Sequence, residues 1–342
     1  MIKESIAQIV TGQDLDQQQM AAVMQEIMSG ETTDAQIGSF ITALRMKGET
    51  VDEIAGAVQV MREKATFVDT GVDTEAGELL MDIVGTGGDG SGTFNVSTTT
   101  AFVVAGAGIP VAKHGNRAIS SSCGSADVLE ALGVDLSMPA ERVAACIRTV
   151  GIGFLFAPML HGAMKHAIGP RREMSIRTIF NILGPMTNPA RSNVQLTGVF
   201  AKELTVPAAQ VLSKLGMQRT LVVWGEGNMD EMTITGTSHV ADAYDDKVRS
   251  YTVEPEEVGL CRAGIEEIQG GATAKESAAL VREVLGNTPG ARLDMVLLNA
   301  GAALLAAGRA KNLQAGVEQA RGIIASGAAL EKLDKLVAFC KS

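Results

Sequence analysis

Between Leu79 and Ala107 the chain passes from a short apolar run, through a cluster of glycines, into an apolar helical stretch. Five of the eight residues from Gly85 to Gly92 are glycine. A strand, a glycine loop and a helix in that order form the opening unit of an α/β fold, because bare backbone is needed where a loop turns sharply beneath a ligand. Its N–H groups can cradle phosphate oxygens, and the dipole of the following helix favours negative charge. The full run is Asp82-Ile83-Val84-Gly85-Thr86-Gly87-Gly88-Asp89-Gly90-Ser91-Gly92-Thr93-Phe94-Asn95-Val96-Ser97-Thr98-Thr99. No Gly-Lys-Ser/Thr follows, so it is no Walker A loop. The helix also starts too late for a dinucleotide fingerprint.

The rest of the chain keeps the same alternation. Strands are expected at Leu79–Val84, Ile109–Ala112, Gly153–Phe156, Val194–Val199 and Thr220–Trp224, with a hairpin over 238–253. Helices are expected at Val96–Ala107 and Ala126–Leu132, and another opened by Ser137 with Pro139 in its first turn. The tail from about Ala274 reads as helical. These elements predict a larger α/β domain, residues 71–342, with a mainly parallel central sheet. The first 70 residues read differently. Apolar stripes at Ile2, Ile6, Ile9 and Val10, and at Met20, Val23, Met24, Ile27 and Met28, indicate short amphipathic helices. Thr33 with Gln36 and Thr50 with Glu53 form capping boxes for two more. A small N-terminal helical domain is therefore expected, joined by about 165–190, where helical patterns run without an obvious strand between them.

Three further segments carry chemistry. Lys113-His114-Gly115-Asn116-Arg117-Ala118-Ile119-Ser120-Ser121-Ser122-Cys123-Gly124-Ser125 follows a strand, and in open α/β sheets ligands sit at such strand ends. Two cations among small hydroxyl residues suit a phosphorylated sugar, although a solvated surface pair is the plainer reading of Lys113 and Arg117. Trp224-Gly225-Glu226-Gly227-Asn228-Met229-Asp230-Glu231 ends a strand in adjacent carboxylates, which can bind Mg²⁺ while phosphates complete its shell. Standing alone, it would read as an acidic exposed loop. Arg171-Arg172-Glu173 precedes Arg177-Thr178-Ile179-Phe180-Asn181-Ile182-Leu183-Gly184-Pro185-Met186-Thr187-Asn188-Pro189. One of these arginines could meet a substrate carboxylate through its planar fork, while others pair with Glu173.

Composition removes other classes. A formal charge of −10 argues against a nucleic-acid binder. The four cysteines, Cys123, Cys146, Cys261 and Cys340, are far apart and form no CxxC pair, so neither a disulfide framework nor a metal knuckle is expected. Cys123 reads as a small buried filler. The opening Met1-Ile2-Lys3-Glu4-Ser5 is too polar for a signal peptide. No apolar run reaches the roughly 18 residues of a membrane span. Met295 to Ala307, interrupted by Asn299, reads as a buried helix. A soluble cytoplasmic protein is expected, with no nucleic-acid or membrane partner. No Ser–His–Asp or Cys–His signature is visible in these motifs.

Taken in order, the GTGGD loop, the KHGNR loop with its GSADVLEALGV extension, RTIFNILGP and the Asp230-Glu231 pair resemble the anthranilate phosphoribosyltransferase family. That family lies within the nucleoside-phosphorylase-like phosphoribosyltransferases, and the likeness covers nearly the whole chain. It implies transfer of phosphoribosyl from 5-phosphoribosyl 1-diphosphate (PRPP) to the amine of anthranilate in tryptophan biosynthesis. It also implies a homodimer formed through the helical domains, and two Mg²⁺ ions. By position, Gly85, Gly88, Asp89, Thr93, Asn95, Val96, Ser97 and Thr98 would bind PRPP. Lys113, His114, Gly115, Asn116, Arg117, Ala118, Ile119, Ser120, Ser121 and Ser125 would hold its phosphates and ribose. Ser97 would reach one Mg²⁺, and Asp230 with Glu231 the other. Gly85, Asn116 and Arg171 would face anthranilate, Arg171 meeting its carboxylate. No residue is expected to act as a catalytic nucleophile, catalysis being electrostatic and positional.

The sequence departs from the family at His161-Gly162, where His-Pro is usual, at Met186 for leucine, and at Met174-Ser175 for Leu-Gly. Pyrimidine nucleoside phosphorylases share the architecture but carry an additional C-terminal α/β domain and a different lysine loop. A transferase for a substituted aromatic acceptor stays open on these residues alone.

Overall fold

A computed structural model of the chain describes residues 1–118 and 123–341. The helices are α1 (Ile2–Ile9), α2 (Gln17–Ser29), α3 (Asp34–Lys47), α4 (Val51–Lys64), α5 (Val96–Gly106), α6 (Ser125–Ala131), α7 (Ala140–Val150), α8 (Ala157–Leu160), α9 (Lys165–Met174), α10 (Phe180–Leu183), α11 (Thr205–Lys214), α12 (Ala274–Leu285), α13 (Ala291–Ala306), α14 (Leu313–Ala325) and α15 (Ala328–Lys341). The strands are β1 (Met81–Gly85), β2 (Val111–Gly115), β3 (Ile152–Phe156), β4 (Val194–Gly198), β5 (Arg219–Gly225), β6 (Ser238–Tyr244) and β7 (Lys247–Val253).

The strands form one sheet in the order β3-β2-β1-β4-β5-β6-β7. The first five are mutually parallel, while β6 and β7 are antiparallel additions at one edge. The chain thus winds outward from β1 to β3, then returns to the other side of β1 for β4. The β1/β4 junction is the topological switch point, where open sheets leave a crevice beyond their carboxyl ends.

Parallel strands are buried on both faces, so they read as unbroken apolar runs. Met81 and Ile83 of β1 point into a core shared with α5, α6 and α12 to α15, whereas Leu80, Ala112 and Leu155 meet α7 on the opposite face. The second face under β5 and β6 is covered by α11 and is continuous with the core of the N-terminal helices.

Those N-terminal helices begin where their caps say they should. Thr33 and Thr50 accept from Gln36 and Glu53 backbone N–H groups, and the reciprocal side-chain bonds close both boxes. Asp16 and Gln19 form a third box at α2. Each cap stabilises its helix by about 1 kcal/mol. Glu53 is fully buried, yet it also accepts from Leu15 N at 3.0 Å and from Lys47 Nζ at 3.0 Å, tying the α1–α2 connection to α4. Ala167, Ile179, Phe180 and Leu183, from α9 and α10, pack into the apolar cluster of these helices.

The helix expected to open at Ser137 begins later, at Ala140, with Pro139 as its N-cap. Ser137 instead turns back on Asp135, whose carboxylate accepts from its N–H at 2.8 Å and its hydroxyl at 2.6 Å. An Asx turn outcompeted the cap there. All four cysteines are free, and Cys123 is half-buried rather than the buried filler expected. Among the described residues no helix is long and apolar enough to cross a membrane.

Candidate active site

β1 delivers the glycine loop and α5 receives it. Gly87, Gly88, Gly90 and Gly92 all take left-handed φ angles between 67° and 74°, which side-chain-bearing residues rarely adopt. The loop is held from several directions. Thr86 N donates to the Gly198 carbonyl at 3.0 Å, and the Thr86 hydroxyl accepts from Phe200 N at 3.0 Å. Arg177 donates to the Gly88 carbonyl while its guanidinium lies 4.4 Å over the Phe200 ring. Within the loop, Asp89 accepts from Ser91, whose hydroxyl lies 3.2 Å from that of Thr93.

The carboxylate pair from the end of β5 meets this loop. Asp230 Oδ2 accepts from Gly87 N at 2.7 Å, and Glu231 Oε2 accepts from the Thr93 hydroxyl at 3.3 Å. Glu231 also accepts from the Ser97 N–H in the first turn of α5. Gly85 and Gly198 are register partners on β1 and β4, and a side chain on either would run into Asp230. The pair therefore sits over the switch point, at the N-terminus of a helix.

The electrostatics are those of a site built for positive charge. Burial, then the neighbouring Asp89, pushes the Asp230 carboxyl up to about 7. Burial, then Asp230 and Asp89, raises Glu231 well above the usual carboxylate range. The cation beneath them is Lys113, only 3% exposed, whose ammonium donates to the Ile83 carbonyl at 2.6 Å and faces Asp82, Glu231 and Asp230. Burial lowers its pKa, against the pull of those three carboxylates. Lys113 is thus no solvated surface residue. Among the described residues no three His, Cys, Asp or Glu side chains are arranged to hold a metal by themselves. An all-oxygen set of two or three crowded carboxylates with Ser and Thr hydroxyls fits Mg²⁺, which keeps waters and uses substrate phosphates for the rest of its shell.

The loop after β2 is closed by α6. Asp127 Oδ2 accepts from Ala118 N at 3.0 Å and from Gly124 N at 2.9 Å. The Asn116 carbonyl accepts from the Ser125 hydroxyl at 3.2 Å, and Gly115 has no room for a side chain against that hydroxyl. Arg117 is exposed and paired with Asp127 at 2.9 Å and Glu130 at 2.8 Å. Asn95 donates to the Cys123 carbonyl at 3.1 Å, joining the two loops, while its Oδ1 is buried without a partner among the described residues. Val96 and Thr98 are wholly buried, and the Thr98 hydroxyl is also unpartnered. Ile119, Ser120 and Ser121 lie outside the described residues.

Beneath the loops is a polar knot the motifs did not announce. Asp82 accepts from His114 N at 3.0 Å and from Asn188 Nδ2 at 2.7 Å, and Asn188 also donates to the Ala112 carbonyl at 2.7 Å. His114 and His161 face each other with Nε2 atoms 3.2 Å apart. Burial, then His161 and Lys113, drives His114 down to about 3, and burial takes His161 to about 4. Both rings are neutral at physiological pH. Arg171, on α9, lies 5.0 Å over the Phe180 ring, and no ion pair is found for it among the described residues. Burial lowers its pKa. Glu173 pairs with neither Arg171 nor Arg172 among those residues.

Sequence reasoning passed over Gly198 and Gln269, and it quoted Asp82, Arg177 and Asn188 within its motifs without assigning them these roles. Gly198 alone left a trace, as a glycine ending an apolar strand; the others are polar residues whose partners lie far along the chain.

Residues 3–65 match the glycosyl transferase family, helical bundle domain, and residues 77–330 the glycosyl transferase family, a/b domain. The anthranilate phosphoribosyltransferase of Desulfotalea psychrophila is 67% identical over 338 residues, covering 99% of this chain and 97% of its own. The crystal structure of the Thermus thermophilus anthranilate phosphoribosyltransferase superposes with a TM-score of 0.92 at 44% identity, covering 99% of both chains. The Saccharomyces cerevisiae enzyme, solved in complex with PRPP and Mg, gives 0.87 at 27% identity over 99% of this chain and 98% of its own. It has also been solved in complex with 4-fluoroanthranilate.

Proposed function

Because the chain belongs to the anthranilate phosphoribosyltransferase family, we propose a division of labour among its residues for that family's reaction. The enzyme transfers phosphoribosyl from PRPP to the amine of anthranilate, releasing diphosphate, in tryptophan biosynthesis. The observation that carries the assignment of roles is the meeting of the glycine loop, the Asp230–Glu231 pair and the N-terminus of α5 over one switch point.

The bare N–H groups of Gly88 and its neighbours, with the α5 dipole, receive the diphosphate. Asp89, Thr93, Asn95 and Ser97 line the PRPP side, with the wholly buried Val96 and Thr98, also expected there, packed behind them. The unpaired Asn95 Oδ1 is an acceptor that a ligand hydroxyl would satisfy. Lys113 lies under the loop with its ammonium facing the carboxylates, and the residues from His114 to Ser125 would bind phosphate and ribose. Asp230 and Glu231 would hold one Mg²⁺ and Ser97 would reach a second. When bound, Mg²⁺ neutralises charge on the diphosphate leaving group. Arg171, without a carboxylate partner among the described residues, offers its fork to the carboxylate of anthranilate, and Asn116 and Gly85 would face the same acceptor. Burial keeps His114 and His161 neutral at physiological pH. The work left to the protein is holding amine and anomeric carbon in line and stabilising the charge that separates.

We further read residues 1–70, joined by about 165–190, as the helical domain and 71–342 as the α/β domain. Ala167, Ile179 and Phe180 in the N-terminal apolar cluster support this. A homodimer through the helical domains is supported by Met46 and Val10, apolar side chains 84% and 65% exposed on that unit. Free cysteines throughout suit the cytoplasm.

The test is a fluorescence assay with purified protein, Mg²⁺, PRPP and anthranilate. Anthranilate fluorescence should fall only with every component present, with diphosphate released alongside. A folded protein that binds PRPP but consumes no anthranilate would retain the donor site and discard the acceptor.

A further inference from the structure

Helix α13 presents two polar side chains on one face, two turns apart, and each holds a different part of the active site. Arg292 donates from Nε and Nη2 to a single acceptor, the Gln269 carbonyl, at 3.1 and 2.9 Å. Gln269 is itself bound to the glycine loop. It forms an antiparallel bridge with Thr93, and its Nε2 donates to the Ser91 carbonyl at 3.2 Å. On either side, Phe94 N donates to the Ile268 carbonyl at 3.1 Å and Gly270 N to the Gly92 carbonyl at 2.9 Å.

Asn299 is 2% exposed in the middle of the same helix. Its Oδ1 accepts from Met232 N at 3.0 Å, and its Nδ2 donates to the Met232 carbonyl at 2.8 Å and the Met295 carbonyl at 2.9 Å. Met232 directly follows Glu231. One amide side chain thus satisfies both backbone groups of the residue beside the carboxylate pair, as a neighbouring strand would. Among the standard side chains only a primary amide offers that donor and acceptor together on one short fork. Asparagine is a poor choice for a buried helix interior unless its partners repay the placement. Leucine, nearly the same size, would fill the space among the surrounding apolar residues.

We propose that α13 sets the spacing between the diphosphate loop and the metal-binding carboxylates, with Asn299 positioning Asp230 and Glu231 and Arg292 positioning the glycine loop. The inference rests on the transferase reading above. Neither residue touches substrate; each acts through backbone it holds.

The experiment compares full-length wild type, Asn299→Leu, Arg292→Ala and Arg292→Lys. It measures PRPP binding by calorimetry with Mg²⁺ and with chelator, alongside the Mg²⁺ dependence of turnover and the melting temperature. Asn299→Leu should raise the half-saturating Mg²⁺ concentration by about tenfold or more, the scale on which residues behind metal ligands act. Its PRPP affinity in chelator, and its KM for anthranilate, should stay at the wild-type value. Arg292→Ala should weaken PRPP about fivefold with or without Mg²⁺, the loss of roughly one hydrogen bond. Arg292→Lys, which keeps one donor, should recover most of that. A folded Asn299→Leu with wild-type Mg²⁺ dependence overturns the proposal, as does a loss that falls equally on chelator and Mg²⁺ conditions. If Asn299→Leu does not fold, Asn299→Ser, which keeps one hydroxyl for Met232, is read by the same criteria. Calorimetry decides without turnover, so a wild type that binds PRPP but transfers nothing would refute the transferase reading separately.

Discussion

Gly198 and Asp230 lie so close that any side chain on the first would overlap the backbone carbonyl of the second. Gly198 ends β4 and pairs with Gly85 at the end of β1, so two strand-terminal glycines together make the floor on which Asp230 rests. Gly198→Ala should therefore displace the Asp230–Glu231 loop as a unit. Overpacking of this kind costs about 1–3 kcal/mol, and here the obstructing atom is backbone that cannot rotate away. The variant should melt lower and lose most of its turnover. Wild-type kinetics in Gly198→Ala would show that the loop tolerates a shift, and that the tight floor is incidental.

Asp230→Asn combined with Glu231→Gln should lower turnover by about 100-fold or more, the scale of removing a preorganised charge-stabilising group. It should also flatten the dependence on Mg²⁺. The two carboxylates crowd each other and Asp89, so the metal-free double variant should melt no lower than metal-free wild type. Near-normal kinetics would remove the metal role assigned to the pair.

Arg171→Ala should act on the acceptor. Its guanidinium is half-buried with no ion pair among the described residues, so its fork can meet a ligand carboxylate. Steady-state kinetics should show the anthranilate KM rising by about 10–100-fold, as for loss of a charged hydrogen bond, with little change in the PRPP KM. An effect confined to PRPP would assign this arginine to the donor.

The His114–His161 contact predicts how stability follows pH. Both rings are held far below the usual histidine value near 6.5. Below that pH the unfolded chain takes up protons that the folded protein refuses, so stability present above about 6.5 drains away as pH falls toward 4. Asp82, raised by burial to about 6, and the buried Asp230 and Glu231, raised by burial and by crowding, work in the opposite direction, so the histidine contribution is read only as a difference between wild type and variant. Denaturant unfolding of wild type and His161→Gln between pH 6.5 and 5 checks the sign. Relative to the variant, wild type should lose up to about 1.4 kcal/mol of stability per pH unit as pH falls across that window. Parallel slopes would mean that His161 is protonated in the folded protein.

The motifs were readable because each is contiguous. A strand leading into clustered glycines, a cationic loop after a strand and paired carboxylates after another all keep their chemistry within a dozen residues. The capping boxes at Thr33 and Thr50 were legible for the same reason, the partner being three residues away. Asp135, an equally local competitor, displaced the helix start expected at Ser137. The burial of Lys113 could not be read locally: its bond to the Ile83 carbonyl and its position facing Asp82, Asp230 and Glu231 depend on which strands become neighbours.

Local sequence by itself determined the strands, most of the helices, the mainly parallel character of the sheet and the three loops that carry charge, since hydrophobic period, capping and glycine content act over a few residues, whereas the order of the strands did not follow from it. Tertiary structure alone decided that Gly198 makes room for Asp230, that Asn299 stands in as a strand partner for Met232, and that His114 meets His161. Those relationships join positions 32 to 67 residues apart. They exist because folding packs segments distant in the chain against one another, which no local pattern encodes.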